Sequence, residues 1–217
     1  MAPKLLYFAF AGRAEVARLC FNIGNIEFED VHIDGASWPE EKAKLPFGQV
    51  PVLQLDDGRM LAQSGAIDRY VAKLAGLYPE DPLQAAFADQ AVFVLQDIWE
   101  AILTPSWTLP AEEKIKARQE ALAGKGGDKL KQLDKLVEPV QHSGGWLAGD
   151  KLSFADLEVF VMITNLISGM FDGIPKDLLD AYPAIKAFRN RVALLPAVKA
   201  YYDKDTTGKK AAFKPDA

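Results

Sequence analysis

A chain of 217 residues with 49% apolar and 25% charged side chains can bury a sizeable core, in one large domain or in two smaller ones. Its formal charge of −5 and its pI near 5.2 argue against an extended phosphate-binding surface, so nucleic acid is not an expected partner. Cys20 is the single cysteine and the two histidines, His32 and His142, have no ligand-like spacing, which excludes a disulfide framework and leaves no metal expected. No run approaches roughly 18 uninterrupted apolar residues. The opening "MAPKLLYFAFAGRAE" has too short an apolar segment for a signal peptide, so the cytoplasm is the expected compartment and no membrane an expected partner.

In chain order, "KLLYFAF" predicts a strand. Val16, Leu19, Cys20 and Ile23 then recur at i, i+3, i+4 and i+7, one face of a helix that starts at Arg13 and ends near Gly24 and Asn25. "FEDVHI" predicts a second strand, and "WPEEKAKLPFG" an irregular stretch. "VPVLQLDDGRMLAQ" predicts a hairpin turning at Asp57-Gly58, and "SGAIDRYVAKLAG" a helix stopped by Gly76. This order suits a small mixed sheet covered by helices. "YPEDPLQ" predicts a linker, after which the pattern is helical throughout. Ala91, Leu95, Ile98 and Ile102 mark one long helix ending at the prolines of "TPSWTLPAEEK", and Leu130, Leu133, Leu136 and Val137 mark another. Ser153 and Asp156 have the spacing of a capping box ahead of a run that is apolar nearly all round, which predicts the start of a central helix and a structural role for the pair. Cys20, on the apolar face of the first helix, reads as a small buried hydrophobe. The end, "TTGKKA" and "AAFKPDA", reads as a loose basic tail.

Four fragments in order, "LLYFAFAGRAEVARL", "WPEEKAKLPFGQVPVLQLDDG", "LAQSGAIDRYVAKLAGLYPED" and "WLAGDKLSFADLEVF", resemble the successive landmarks of the cytosolic glutathione transferases, and most of all the sigma class with its tyrosine at the site. The resemblance implies an α/β thioredoxin-like N-terminal domain over 1–77, a linker over 78–84 and an all-α domain over 85–217 that contributes the electrophile site and the dimer interface. It also implies a homodimer with glutathione as co-substrate. On that reading Tyr7 and Arg13 are the catalytic residues.

Tyr7 has the chemistry for the task. A thiol of pKa about 8.5 becomes mostly thiolate at pH 7 if its pKa falls by about 2, which needs about 2.7 kcal/mol. One hydrogen bond to a charged acceptor supplies roughly 1.5–3 kcal/mol. Gly12 allows a sharp turn at the sulfur, and Arg13 adds positive charge at a helix start that already favours an anion.

The other ends of glutathione need their own partners. Val50-Pro51, for which the resemblance implies a cis bond, would offer the Val50 backbone to an extended tripeptide. Gln63 and Ser64 match the γ-glutamyl carboxylate site; Ser64 also has the chemistry of an N-cap for the helix behind it. Trp38 and Lys42 match the glycyl carboxylate site, and Gln49 stands where many sigma-class enzymes have a second lysine. Asp97 matches the acid that reaches the glutathione ammonium from the partner subunit. Phe47 is either an anchor into the partner or filler beneath the Pro51 loop. Phe8, Gly12, Trp99 and Leu103, with Phe10 and Trp107, are candidates for the wall that receives an apolar electrophile. The resulting expectation is a transferase conjugating glutathione to hydrophobic electrophiles, as in detoxification. A glutathione-dependent isomerase of the prostaglandin type and a non-catalytic, crystallin-like binder are the alternatives.

Overall fold

The computed structural model describes residues 2–216; Met1 and Ala217, the outermost positions of the two expected domains, lie outside the described residues. Strand β1 (Lys4–Tyr7) leads through a short 3-10 turn (Gly12–Ala14) into α1 (Glu15–Ile23), followed by β2 (Glu29–His32) and α2 (Trp38–Lys44). Then come β3 (Val52–Gln54), β4 (Met60–Ala62) and α3 (Ser64–Leu74). The sheet order is β2-β1-β3-β4, with β1 parallel to β2 and antiparallel to β3, and β3 antiparallel to β4. A βαβ unit continued by an antiparallel hairpin and a helix is the thioredoxin-like arrangement the sequence predicts.

The remainder is helical: α4 (Pro82–Ile102), α5 (Ala111–Ala123), α6 (Lys125–Ser143), α7 (Phe154–Ile167), α8 (Pro183–Ala193) and α9 (Pro196–Asp203). Helix α7 is buried along nearly its whole length and packs against α1, α3, α4 and α8. Its start is held as the capping-box spacing predicts. Asp156 Oδ2 accepts from the Ser153 N–H at 2.7 Å and from the Ser153 hydroxyl at 2.8 Å, while Oδ1 accepts from the Leu147 N–H at 2.9 Å. The buried groups of Ser153 and Asp156 would otherwise lack a partner.

Five expectations change. The opening strand stops at Tyr7, so the tyrosine ends the strand instead of sitting within it, and the α-helix starts at Glu15 after the turn at Gly12–Ala14. "WPEEKAK" is helical, because Pro39 sits in the first turn, where its missing N–H costs nothing. Helix α4 starts at Pro82, inside the stretch read as a linker; Asp81 caps it by accepting from the N–H groups of Leu83 and Gln84 at 3.0 and 2.9 Å. Ser64 is the first helical residue of α3 and not its cap, a position that falls to Gln63. The C-terminal segment is a packed strap. Phe213 is buried in the core, Arg189 donates to Asp216 and to the carbonyls of Ala212 and Lys214, and Lys210 Nζ bonds the buried Glu15 at 2.7 Å.

Candidate active site

The end of β1 and the turn after it are built around one buried cation. Arg18, on α1, donates to the carbonyls of Phe8, Phe10 and Ala11, pairs with Glu15 at 3.0 Å and Asp30 at 2.9 Å, and lies 5.7 Å from the Tyr7 ring centre. It holds residues 8–11 in place and therefore sets where Tyr7 points. The Tyr7 side chain is 6% exposed, and its hydroxyl oxygen accepts the backbone N–H of Arg13 at 3.1 Å. Burial pushes the phenol up from its ordinary value, opposed by the Arg13 N–H and by the charges of Arg13 and Arg18. The hydroxyl is thus neutral at pH 7, with one lone pair occupied and its own proton left to donate. Gly12 makes this contact sterically feasible: its φ is +51°, and a Cβ there would stand 2.4 Å from the Tyr7 oxygen.

Arg13 adjoins two concave regions. The smaller is a recess of about 20 Å³ shared with Phe47, Gln49, Val50, Pro51, Gln63 and Ser64. With Arg13, six residues assigned to glutathione from the sequence meet here from three separate segments. The Val50–Pro51 peptide is cis. Gln63 has φ +72°, a left-handed conformation that costs a non-glycine residue about 1–3 kcal/mol and is kept where surrounding structure imposes it. Because its carbonyl accepts from the N–H groups of Ala66 and Ile67, the strained residue launches α3 with the Ser64 and Gly65 N–H groups at the helix start. Among the described residues no side chain caps this end. Such an end favours a carboxylate. Trp38 and Lys42 lie one step away on α2: Trp38 meets the Phe8 ring edge-on at 5.3 Å, and the exposed Lys42 packs its stem over Gly48. Phe47 is 65% exposed, which removes the gap-filling alternative.

The larger region is a cavity of about 490 Å³ between α1, α3, α4 and α7. Its lining includes Gly12, Arg13, Val92, Leu95, Trp99 and Met162. Trp99 is fixed by Arg13 at 5.6 Å over its face and by Phe171 edge-on at 5.5 Å. Two candidates for this wall are elsewhere. Leu103, whose N–H closes the last turn of α4 on the Trp99 carbonyl at 2.9 Å, is wholly buried in the core. Phe8 follows Tyr7 on the opposite side of the chain; it stacks on Phe10 at 5.8 Å and lines a different groove with Phe10 and His32. Trp107 stays close, 6.3 Å from Trp99. Asp97 is exposed and bonds Lys129 Nζ at 2.7 Å, while its neighbours Gln96 and Glu100 line the cavity.

Four buried charges escaped sequence reasoning. Arg18 and Glu15, three apart on the first helix, and Asp68, between Ile67 and Arg69, fall on helix faces otherwise filled by apolar residues, and that mismatch is the signal that marks them. Glu158 sits within the apolar run of α7 for the same reason. Cys20 is buried and its thiol is pushed well up by desolvation, as expected of a core residue.

Comparison with known proteins agrees with this geometry. The glutathione S-transferase N-terminal domain profile matches residues 3–73, and the C-terminal domain profile of the same family matches residues 96–205. The chain belongs to the glutathione S-transferase family. It is 37% identical to hematopoietic prostaglandin D synthase of Gallus gallus, over 93% of this chain and 95% of that one. It is 33% identical to glutathione S-transferase S1 of Drosophila melanogaster, over 92% of this chain and 77% of that one. Among solved structures, the sigma class glutathione transferase of Fasciola hepatica superposes with a TM-score of 0.82 at 25% identity, covering 96% of this chain and 98% of the other. This glutathione S-transferase is a transferase with glutathione as co-substrate, and the class it most resembles is sigma. Among the described residues no helix is long and apolar enough to cross a membrane and no cluster of side chains could hold a metal ion.

Proposed function

We propose that this transferase activates glutathione through Tyr7 and delivers the thiolate to apolar electrophiles held in the cavity beside it. The observation that carries the reading is the Tyr7 hydroxyl: its oxygen is satisfied by the Arg13 N–H at 3.1 Å, so its proton is aimed at an incoming acceptor in a dry, fixed position. On this reading the tripeptide lies along Val50–Pro51 as an added strand, its γ-glutamyl carboxylate on Gln63 and Ser64, its glycyl carboxylate on Trp38, Lys42 and Gln49. Arg13 lends positive charge to the sulfur. Thiolate attack forms a carbon–sulfur bond while the leaving group departs with its electron pair. Gly12 and Trp99 belong to the electrophile wall; Phe8 and Leu103 act behind it, Phe8 by packing on Tyr7 at 5.6 Å.

We read residues 1–77 as the glutathione-binding unit, 78–84 as the connection, whose last three residues already belong to α4, and 85–217 as the helical unit. A cytosolic homodimer is part of the same reading. The large exposed side chains of Phe47, Tyr70, Leu83, Phe87 and Phe93 support self-association, and the lone buried cysteine suits a reducing compartment. In such a dimer Asp97 reaches the ammonium of glutathione bound by the partner, exchanging its exposed pairing with Lys129 for that contact.

The test is an ultraviolet titration of the glutathione complex near 240 nm, where thiolate absorbs, from about pH 5 to 9. The wild type should show a bound-thiol pKa about 2 below the free value, and Tyr7→Phe should return it most of the way while turnover falls roughly ten- to thousandfold. An unshifted thiol in the wild type would remove Tyr7 from the mechanism. A second reading, isomerisation with glutathione returned unchanged, draws on the relative named hematopoietic prostaglandin D synthase. Turnover of an endoperoxide without loss of glutathione separates it from conjugation.

A further inference from the structure

The cavity contains two acids that the thiolate chemistry does not use. Asp68 comes from α3 and Glu158 from α7, so the two meet across the junction between the sheet-bearing unit and the helical unit. They are 2% and 8% exposed, and both line the cavity. Both face the same cavity, and burial pushes both carboxyl groups up from the ordinary carboxylate range, each acting on the other. Two carboxylates sharing an apolar shell do not both ionise, so one proton stays with the pair.

Such a pair still carries one negative charge, and that charge is poorly answered by the protein. Asp68 Oδ1 is buried and makes no hydrogen bond to a described residue. The nearby cations are engaged elsewhere. Arg69 bonds Asp89 at 2.8 Å and the Gly65 carbonyl at 2.8 Å, and Arg13 lies over Trp99. Cys20, from α1, feels both acids and is itself held neutral by burial. Glu100, from α4, adds a further carboxylate to the lining. Around the pair the walls are apolar: Val16, Val92, Leu95, Val161 and Met162.

We propose that the cavity binds lipophilic amines, with the apolar body against Leu95, Val161 and Met162 and the ammonium group donating to Asp68 Oδ1 and to the Glu158 carboxylate. The inference rests on reading this cavity as the electrophile site and names the class of ligand its floor selects. An ammonium supplies both the donors that Asp68 lacks and the charge that the pair leaves unanswered. An alcohol of the same shape supplies only one neutral donor, and charge-assisted hydrogen bonds are about twice as strong as neutral ones.

Isothermal calorimetry on the full-length protein without glutathione tests this, using 4-phenylbutylamine and 4-phenylbutanol as probes with the same apolar body. At pH 7.5 the amine should bind at least about tenfold more tightly than the alcohol. Asp68→Asn and Glu158→Gln should each remove that preference while keeping the alcohol affinity. Equal affinities in the wild type, or a preference that survives both substitutions, would overturn the proposal. Should a variant fail to fold, the wild type alone still decides, because the amine preference must shrink at pH 5.5 where the pair keeps its proton, and an undiminished preference refutes it. Titrating the wild type with glutathione separates the two readings. Amine preference without glutathione binding leaves the acid pair standing and sinks the transferase mechanism, and glutathione binding without amine preference does the reverse.

Discussion

Glu158→Gln should stabilise this protein at pH 8 and leave it unchanged at pH 5. The Glu158 carboxyl is raised from 4.5 to about 7 by desolvation, opposed by a hydrogen bond with Asp68 and by the charges of Arg69 and Arg13. In the unfolded chain it ionises near its ordinary value, so between pH 4.5 and about 7 the folded state binds the extra proton. Stability therefore falls as pH rises through that window and levels off above it. At about 1.4 kcal/mol per pH unit the loss is on the order of 3 kcal/mol, an upper bound because Asp68 titrates with it. Glutamine keeps the shape, stays neutral and donates to Asp68, so the variant should lack most of this slope. The assay is urea unfolding at pH 5, 6, 7 and 8, at one protein concentration so that any association is held constant. Parallel pH profiles for the wild type and Glu158→Gln would refute the reasoning, since a shared proton would then play no part in folding.

Gly12→Ala should cut turnover at least about tenfold, because a Cβ would meet the Tyr7 oxygen at 2.4 Å and the φ of +51° costs an alanine about 1–2 kcal/mol; steady-state kinetics with unchanged kcat would show that the turn adapts. Asp97→Ala should weaken glutathione binding, measured by calorimetry, without changing the oligomeric state found by analytical ultracentrifugation; normal affinity would assign the ammonium to another acid. Ser153→Ala should lower stability by about 0.5–2 kcal/mol in thermal unfolding, with specific activity of the folded fraction unchanged, and activity lost at full stability would refute a purely structural role.

Much of the candidate site was legible because its parts are local. Tyr7 followed by Gly12 and Arg13, proline after Val50, and Gln63-Ser64 ahead of an amphipathic helix each carry their chemistry within a few residues. The same locality explains the capping box at Ser153 and Asp156, where both partners belong to one turn. The errors also have local causes. "WPEEKAK" and the end of "YPEDPLQ" read as irregular, although proline in the first turn of a helix, as at Pro39 and Pro82, loses no hydrogen bond.

The sequence by itself determined most of the order of elements and the family, through periodicity, turn chemistry and short motifs, and the resemblance to that family supplied the residues proposed to meet glutathione. The tertiary structure decided which groups are desolvated together. Asp68 and Glu158 are 90 positions apart, and Lys210 and Glu15 are 195 apart. No periodicity encodes such pairs, because their proximity comes from the packing of α3 and α1 against α7 and from the closing of the C-terminal strap. The energy of a buried charge depends on what lies within a few ångströms of it, and for these residues only the folded chain supplies those neighbours.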